Sequence, residues 1–411
     1  MRIRCISTLG AIALSLLGGA AAAQSPAGTI RIGVLNDMSG PFADLSGKWS
    51  VIAAQMAAED FAKEAGPGAP RVEILSADHQ NKADVGAAAA RKWVDQDGVA
   101  AVVDVPNSAV ALAVNQVMRD KDRAFLASST ATSDLTGPQC APTTVQWTFD
   151  TWALANGTAR ALVAQGADTW FFITADYAFG QALERDASAL VKQAGGRVLG
   201  DARHPLDTSD LSAYLLQAQA SGAKVIALAN AGTDTSNAIK QAAEFGIGRD
   251  GKQRLAGLLV FLTDVDALGL EAAQGLVLTE AFYWDLNDQT RAWSKRFAER
   301  AGGRMPTMNH AGVYSSVLAY LRAARDVGVP ASGAPSGAAV VARMEAAPID
   351  DALFGPVTIR KDGRAVHAMY LFQVKTPGES RGRWDDYKLL STIPADQAFR
   401  PMAEGSCPLV K

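Results

Sequence analysis

The sequence predicts an α/β protein built as two doubly wound lobes. Two observations carry that expectation. Apolar runs of strand length alternate with segments of helical periodicity along most of the chain, an order that needs a parallel sheet with helices on both faces. The alternation also comes as two consecutive series with a polar stretch between them, one series for each lobe.

Residues 1–23 stand apart from that pattern. Arg2 and Arg4 form a basic start, residues 11–17 an apolar core too short to span a membrane, and residues 20–23 a run of alanines before Gln24. This is a secretory leader. Cys5 precedes the apolar core, so it does not read as a lipoprotein acylation site. Taking 23 residues from 411 leaves 388, enough for two or three domains. Two of the 39 basic residues go with the leader, which moves the net charge from −3 to −5. A mildly acidic chain without a basic stripe argues against nucleic acid and anionic membrane, and no later stretch is apolar enough to span a bilayer. Cleavage leaves Cys140 and Cys407. In an oxidising compartment these suggest one disulfide tying the tail to the middle of the chain, with two free thiols as the alternative.

The first unit, residues 29–61, sets the pattern. Ile30, Ile32, Val34 and Leu35 make a buried strand, and Met38, Ser39, Gly40 and Pro41 break it. Trp49, Ile52, Ala53, Met56 and Phe61 then recur at helical spacing. GxGxxG is missing, which excludes the usual dinucleotide loop. Strands at 71–77, 99–105 and 124–127 and helices at 82–95 and 108–119 complete the first series. Polar residues 128–144, with Cys140, separate it from the second. There the strands are 170–174, 197–201, 224–229, 258–262 and 276–281, and the helices 152–164, 179–194, 211–219 and 234–245. Two long helices follow at 288–301 and 310–327, then a Pro/Gly/Ser/Ala linker at 328–337 and a short helix to Met344. Residues 357–360 and 366–374 read as a hairpin around Asp362 and Gly363. The tail, 391–411, holds Pro394, Pro401 and Pro408 and reads as irregular.

Familiar catalytic signatures are missing: there is no HExxH, GxSxG, CxxC or phosphate loop. Ser221 and Lys224 spell SxxK, but its KTG companion is absent and its glycine suits a helix exit. Four histidines, His79, His204, His310 and His367, are too scattered to suggest a metal site. Asp207, Asp210, Asp264, Asp266, Asp285 and Asp288 show no tuned pair. The loops at the carboxyl ends of strands say more. Pro106, Asn107 and Ser108 open one helix, and Ser128, Ser129, Thr130, Ala131, Thr132, Ser133 and Asp134 follow the next strand. Residues 174–180, 230–235 and 263–264 hold equivalent places in the second series. Each loop alone reads as a helix cap. Together, at the rims of two lobes, they favour a ligand cleft that can hold a carboxylate on hydroxyls and helix N-termini.

The segments IRIGVLNDMSGPFADLSG, SADHQNKADVGAAAARKWV, ASSTATSDLTG and ADYAFGQALERDASALVKQAGGRVLG resemble, in order, those of the periplasmic binding proteins for branched-chain amino acids. Those proteins are the extracytoplasmic receptors of ABC importers. The resemblance implies two lobes joined by three crossovers, near 147–150, 280–283 and 353–357, closing on ligand like a hinge. Lobe one would hold 24–148 and 282–355, lobe two 149–281 and 356–411. It implies a periplasmic monomer without cofactor or catalysis, delivering a small carboxylate-bearing solute to a membrane permease. Ser108 and the loop of Ser129 and Ala131 would hold the carboxylate beside Asn107. The family usually has threonine where Ala131 stands, so Thr130 or Thr132 would substitute. Phe179, with Tyr177, would form an aromatic wall. Leu45 and Ala231 fall where tyrosines are common, implying a roomier pocket that brings in aromatic acids as ligands. Asp264, next to Thr263, would pair with a ligand ammonium. A soluble ligand sensor on the same fold is the rival function.

Overall fold

A computed structural model describes residues 28–248 and 251–410; the leader, with Arg2, Arg4 and Cys5, lies outside the described residues. Lobe one begins with β1 (Ile30–Asn36), α1 (Gly47–Ala65), β2 (Val72–Asp78), α2 (Ala83–Asp95), β3 (Val99–Asp104), α3 (Ser108–Asp120), β4 (Ala124–Ala127) and β5 (Thr144–Gln146). These strands form one parallel sheet in the order β2-β1-β3-β4-β5. Every residue of β3 is buried, as a central strand covered on both faces requires.

Lobe two follows with α4 (Thr151–Ala164), β6 (Thr169–Ala175), α5 (Ala178–Gln193), β7 (Arg197–His204), α6 (Ser212–Ala220), β8 (Val225–Ala229), α7 (Thr233–Glu244) and β9 (Arg254–Gly257). Its parallel sheet runs β7-β6-β8-β9. Next come α8 (Leu262–Leu268), α9 (Leu270–Ala273) and β10 (Val277–Glu280). The strand expected at 258–262 is displaced. The ladder stops at Gly257, and Leu258, Leu259, Val260 and Phe261 form a buried loop into α8. Their apolarity serves burial rather than sheet pairing.

The chain then returns to lobe one through α10 (Asp288–Arg300) and α11 (Met308–Val327). These helices are held to α1 by Tyr314 donating to Asp60 at 2.9 Å, Arg296–Asp60 at 2.7 Å and Arg322–Glu64 at 2.6 Å. After α12 (Gly337–Glu345) come β11 (Ile349–Asp351), β12 (Gly355–Ile359) and β13 (Ala365–Val366), paired antiparallel. The Gln146 amide donates to Gly363 O at 2.9 Å, so this small sheet stays beside β5.

β14 (Met369–Val374) instead pairs with β10 and with β15 (Tyr387–Ile393), in lobe two. The strand expected at 366–374 is thus divided, and the chain changes lobes at His367 and Ala368. The boundary at 355/356 and the crossover at 353–357 come earlier, the first inside β12 and the second running into it, although β12 pairs with β11 and β13. β15 also replaces the first part of the tail expected to be irregular. Its side chains are mostly exposed, so it lacks the apolar alternation that would announce it. Beyond β15 the tail runs back to lobe one. Arg400 Nη2 donates to Ser133 O at 3.0 Å, and Cys407 is bonded to Cys140 with Cα atoms 5.7 Å apart.

Candidate functional site

The carboxyl ends of the lobe-one strands carry a layer of buried polar groups. At the end of β1 the Asp37 carboxylate accepts from the Gly40 amide at 2.7 Å, the Phe42 amide at 2.9 Å and Asn81 Nδ2 at 2.7 Å. With the Ser39 amide at 3.3 Å, four donors on one carboxylate fold residues 37–46 into a tight loop that presents Phe42 and Leu45. A Cβ at Gly40 would lie 2.8 Å from Asp37 Oδ2, which explains the glycine.

At the end of β3, Asp104 and Val105 have φ of +84° and +57°, a region that non-glycine residues seldom occupy and that is strained for a β-branched one. Asp104 Oδ2 accepts from Asn36 Nδ2 and Ser46 Oγ, both at 2.8 Å. Burial pushes the Asp104 pKa up against the opposing pull of nearby hydroxyls and the Asn36 amide. Asn107 caps α3, its Oδ1 accepting from Ala109 and Val110 amides at 3.0 and 3.2 Å. Ser108 Oγ accepts from the Thr132 amide at 3.2 Å, and Thr130 Oγ1 donates to Val105 O at 2.6 Å. Thr132 Oγ1 accepts from the Asp134 amide at 3.3 Å. Thr130 and Thr132 are therefore committed to backbone partners.

Lobe two faces this layer with rings and small residues. Tyr177 and Phe179, at the start of α5, have ring centroids 5.9 Å apart. Ala231 and Gly232 follow β8. Gly232 has φ of +61°, and a Cβ there would meet Pro41 O at 2.5 Å, so the lobes touch at this glycine. Phe261, before α8, packs edge-on against Phe149 at 6.4 Å. Asp264 caps α8 from within, its Oδ2 accepting from the Phe261 amide at 2.9 Å, and Ser236 Oγ donates to Oδ1 at 3.4 Å. Burial pushes Asp264 up to about 7. Thr263 is buried beside it.

Between the walls lies a narrow cavity of about 10 Å³, room for about one water, so the two walls nearly meet. Lobe one lines it with Phe42, Leu45, Pro106, Ser129, Ala131 and Asn309; lobe two with Tyr177, Phe179, Ala231, Leu259 and Phe261. Of the residues named from the sequence, Leu45, Ser129, Ala131, Tyr177, Phe179 and Ala231 meet there. Asn107, Ser108, Thr130 and Thr132 form the supporting layer, and Thr263 and Asp264 stand behind Phe261 rather than in the lining. Phe42, Leu259, Phe261 and Asn309 were not legible. The first three look like ordinary core, and Asn309 comes from α11, far along the chain. A wider groove between α4 and the tail, lined by Asn156, Arg160 and Asp396 among others, includes none of these strand-end loops.

A family model described as periplasmic binding protein matches residues 29–382. A periplasmic binding protein from Burkholderia mallei is 45% identical, with a TM-score of 0.88 over 93% of this chain and 99% of that one. A branched chain amino acid ABC transporter periplasmic ligand-binding protein from Burkholderia xenovorans is 38% identical, with a TM-score of 0.81 over 93% and 100%. A Leu/Ile/Val-binding protein homolog of Brucella abortus is 28% identical across 68% of this chain and 70% of its own length. The chain belongs to the periplasmic binding protein family, the non-enzymatic, extracytoplasmic solute-binding proteins of ABC transporters.

Proposed function

We propose that this protein delivers a small, mainly apolar carboxylate, aromatic acids foremost, and that its lobes close over it. The observation that carries the reading is the lining: none of its residues is charged among those described. An α-amino acid would bring an ammonium into an apolar cleft, where it needs an anionic partner. Asp264, the expected partner, is turned to its own helix and holds its proton to about pH 7. A carboxylate is better served, by the Ser129 hydroxyl in the wall. Phe42, Tyr177, Phe179 and Phe261 supply faces and edges for a flat ring. The same fold holds benzoate in a Rhodopseudomonas palustris solute-binding protein that is 18% identical.

Branched-chain amino acids are the second reading, favoured by the name of the 38%-identical relative. Calorimetry on leader-free, ligand-stripped protein separates the two. Leucine and 4-methylpentanoate share a side chain and differ in the amine; benzoate and 4-hydroxybenzoate add the ring. An acid without an amine should bind in the micromolar range, about −8 kcal/mol. Leucine binding more tightly than 4-methylpentanoate and both ring acids would overturn the proposal in favour of the second reading.

A further inference from the structure

Asp104 is the lone acid at the end of an otherwise apolar strand, wholly buried, directly beneath the lobe-one wall. Its Oδ2 takes two donors, while its Oδ1 takes none at hydrogen-bonding geometry. Ser129 lines the cavity, its amide donates to Asp104 O at 3.2 Å, and its Oγ meets no partner at hydrogen-bonding geometry. Two buried polar atoms without partners, one under the wall and one in it, are a costly pairing to leave unmade. The positive φ of both Asp104 and Val105 shows that the surrounding structure enforces this placement.

A serine hydroxyl has one hydrogen to give. Facing an ionised Asp104, Ser129 turns that hydrogen inward and shows the cleft only lone pairs, which repel an anion. Facing a carboxylic acid, it accepts from below and donates above. We infer that Asp104 is held as a neutral acid that donates to Ser129, freeing the Ser129 hydrogen for the carboxylate of the ligand. Asp104 is thus a positioning residue that sets the sign of the cleft. The inference rests on the carboxylate reading for the last donor in the chain only.

The surroundings suit a neutral acid. The groups facing Asp104 are Asn36 from β1, Ser46 and Ser50 at the start of α1, and Ser129 from the loop after β4. None of them titrates. Of the titratable groups on the elements packed around it, Asp37 is already bound to four donors, and His310 of α11 faces the Ser46 end of α1. The His310 ring reaches Ser46 O at 3.4 Å, and burial holds it neutral, down to about 3. Burial also raises Asp104 itself, in the direction the inference needs.

Infrared difference spectroscopy on the ligand-free protein at pH 7, wild type against Asp104→Asn, reads the proton directly. The carbonyl band of a protonated carboxyl should be present and vanish in the variant. Its absence from the difference overturns the inference whatever the ligand, since the other buried carboxyls cancel between the two proteins. Benzoate calorimetry reads the donor chain. Asp104→Asn carries an amide donor in the same place and should keep affinity within about threefold, while Ser129→Ala and Asp104→Gly should each lose about tenfold. Glycine suits the backbone at φ of +84°, the urea midpoint of each variant separates lost folding from lost binding, and Asp104→Gly should add little on top of Ser129→Ala. Equal losses in Asp104→Asn and Asp104→Gly would overturn the inference. If wild type binds no carboxylate at all, the delivery reading fails, and the infrared band still decides the state of Asp104.

Discussion

The two walls of the cleft are made in opposite ways. The lobe-one wall rests on buried polar groups bonded to one another: Asp37 gathers the loop at 37–46, Asn107 caps α3, and Ser108 ties that helix to the loop after β4. The lobe-two wall is rings, leucine and alanine. Hydrogen bonds are directional and fix positions before any ligand arrives, which reduces the ordering cost of binding. Apolar surface is tolerant of angle and contributes when it is covered, roughly 1.5–3 kcal/mol for each fully buried large side chain. Lobe one is therefore suited to hold a ligand and lobe two to close on it.

The sharpest way to break that contrast is at Asp37. Asp37→Ala leaves the Gly40 and Phe42 amides and Asn81 Nδ2 without their acceptor, the Phe42 amide in a buried place and the other two partly buried. A buried donor left without its acceptor costs about 1–3 kcal/mol, and three donors are left here. The urea midpoint should fall, and binding of every ligand should be lost with it. A variant of unchanged midpoint would mean that the loop is held by Phe42 and Leu45 packing instead.

Gly232 probes the other wall. With a Cβ only 2.5 Å from Pro41 O in the closed form, Gly232→Ala should disfavour closure while leaving each lobe's own sheet and core unchanged. Affinity should fall by about 10–100-fold, the equivalent of ~1.4–2.8 kcal/mol. The midpoint should drop by only about 1 kcal/mol, from the positive φ. Small-angle scattering should show less compaction at saturation than in wild type. Full compaction at wild-type affinity would show that the loop after β8 yields rather than blocks.

How far the sequence reached follows the same divide. β1 to β4 and their helices are legible because apolar runs of strand length alternate with helical spacing; β5 is not, being three residues of which two are polar. The lobe-one loops are legible because hydroxyls and Asn at helix starts are a chemical signal. Phe261 is not, since an apolar residue in a cleft wall looks the same as one in a core; the run 258–262 reads as a strand for that reason. β15 escapes for the opposite cause, its Leu389 and Leu390 being exposed on an edge. Asp104 was readable in principle: a single acid closing the run of Val99, Ala100, Ala101, Val102 and Val103 is anomalous for a buried strand. The division between β13 and β14 was not, because His367 and Ala368 carry no turn chemistry.

Asp264 gives the finest comparison, since it is the buried acid behind the apolar wall as Asp104 is behind the polar one. Its carboxyl is raised by burial from 3.8 to about 7. The unfolded chain therefore releases this proton at lower pH than the folded one. The sign follows: between about pH 4 and 7 the folded state binds more protons, so stability falls as pH rises, then levels off. Asp264→Asn keeps an oxygen to accept from the Phe261 amide and removes the charge. Near pH 4 the variant and wild type should melt together; by pH 7.5 the variant should melt higher. A rise of that size sets a ceiling of about 4 kcal/mol on the difference, and the neighbouring buried Glu280 keeps the gain below it. The same pair tests the ligand class. For an acid without an amine, Asp264→Asn should leave affinity unchanged or raise it, because no attraction is lost. For leucine it would strip the ammonium of its expected acid partner and weaken binding by at least about tenfold. A melting difference that is equal at pH 4 and pH 7.5 would place the Asp264 proton outside this range and remove the charge argument.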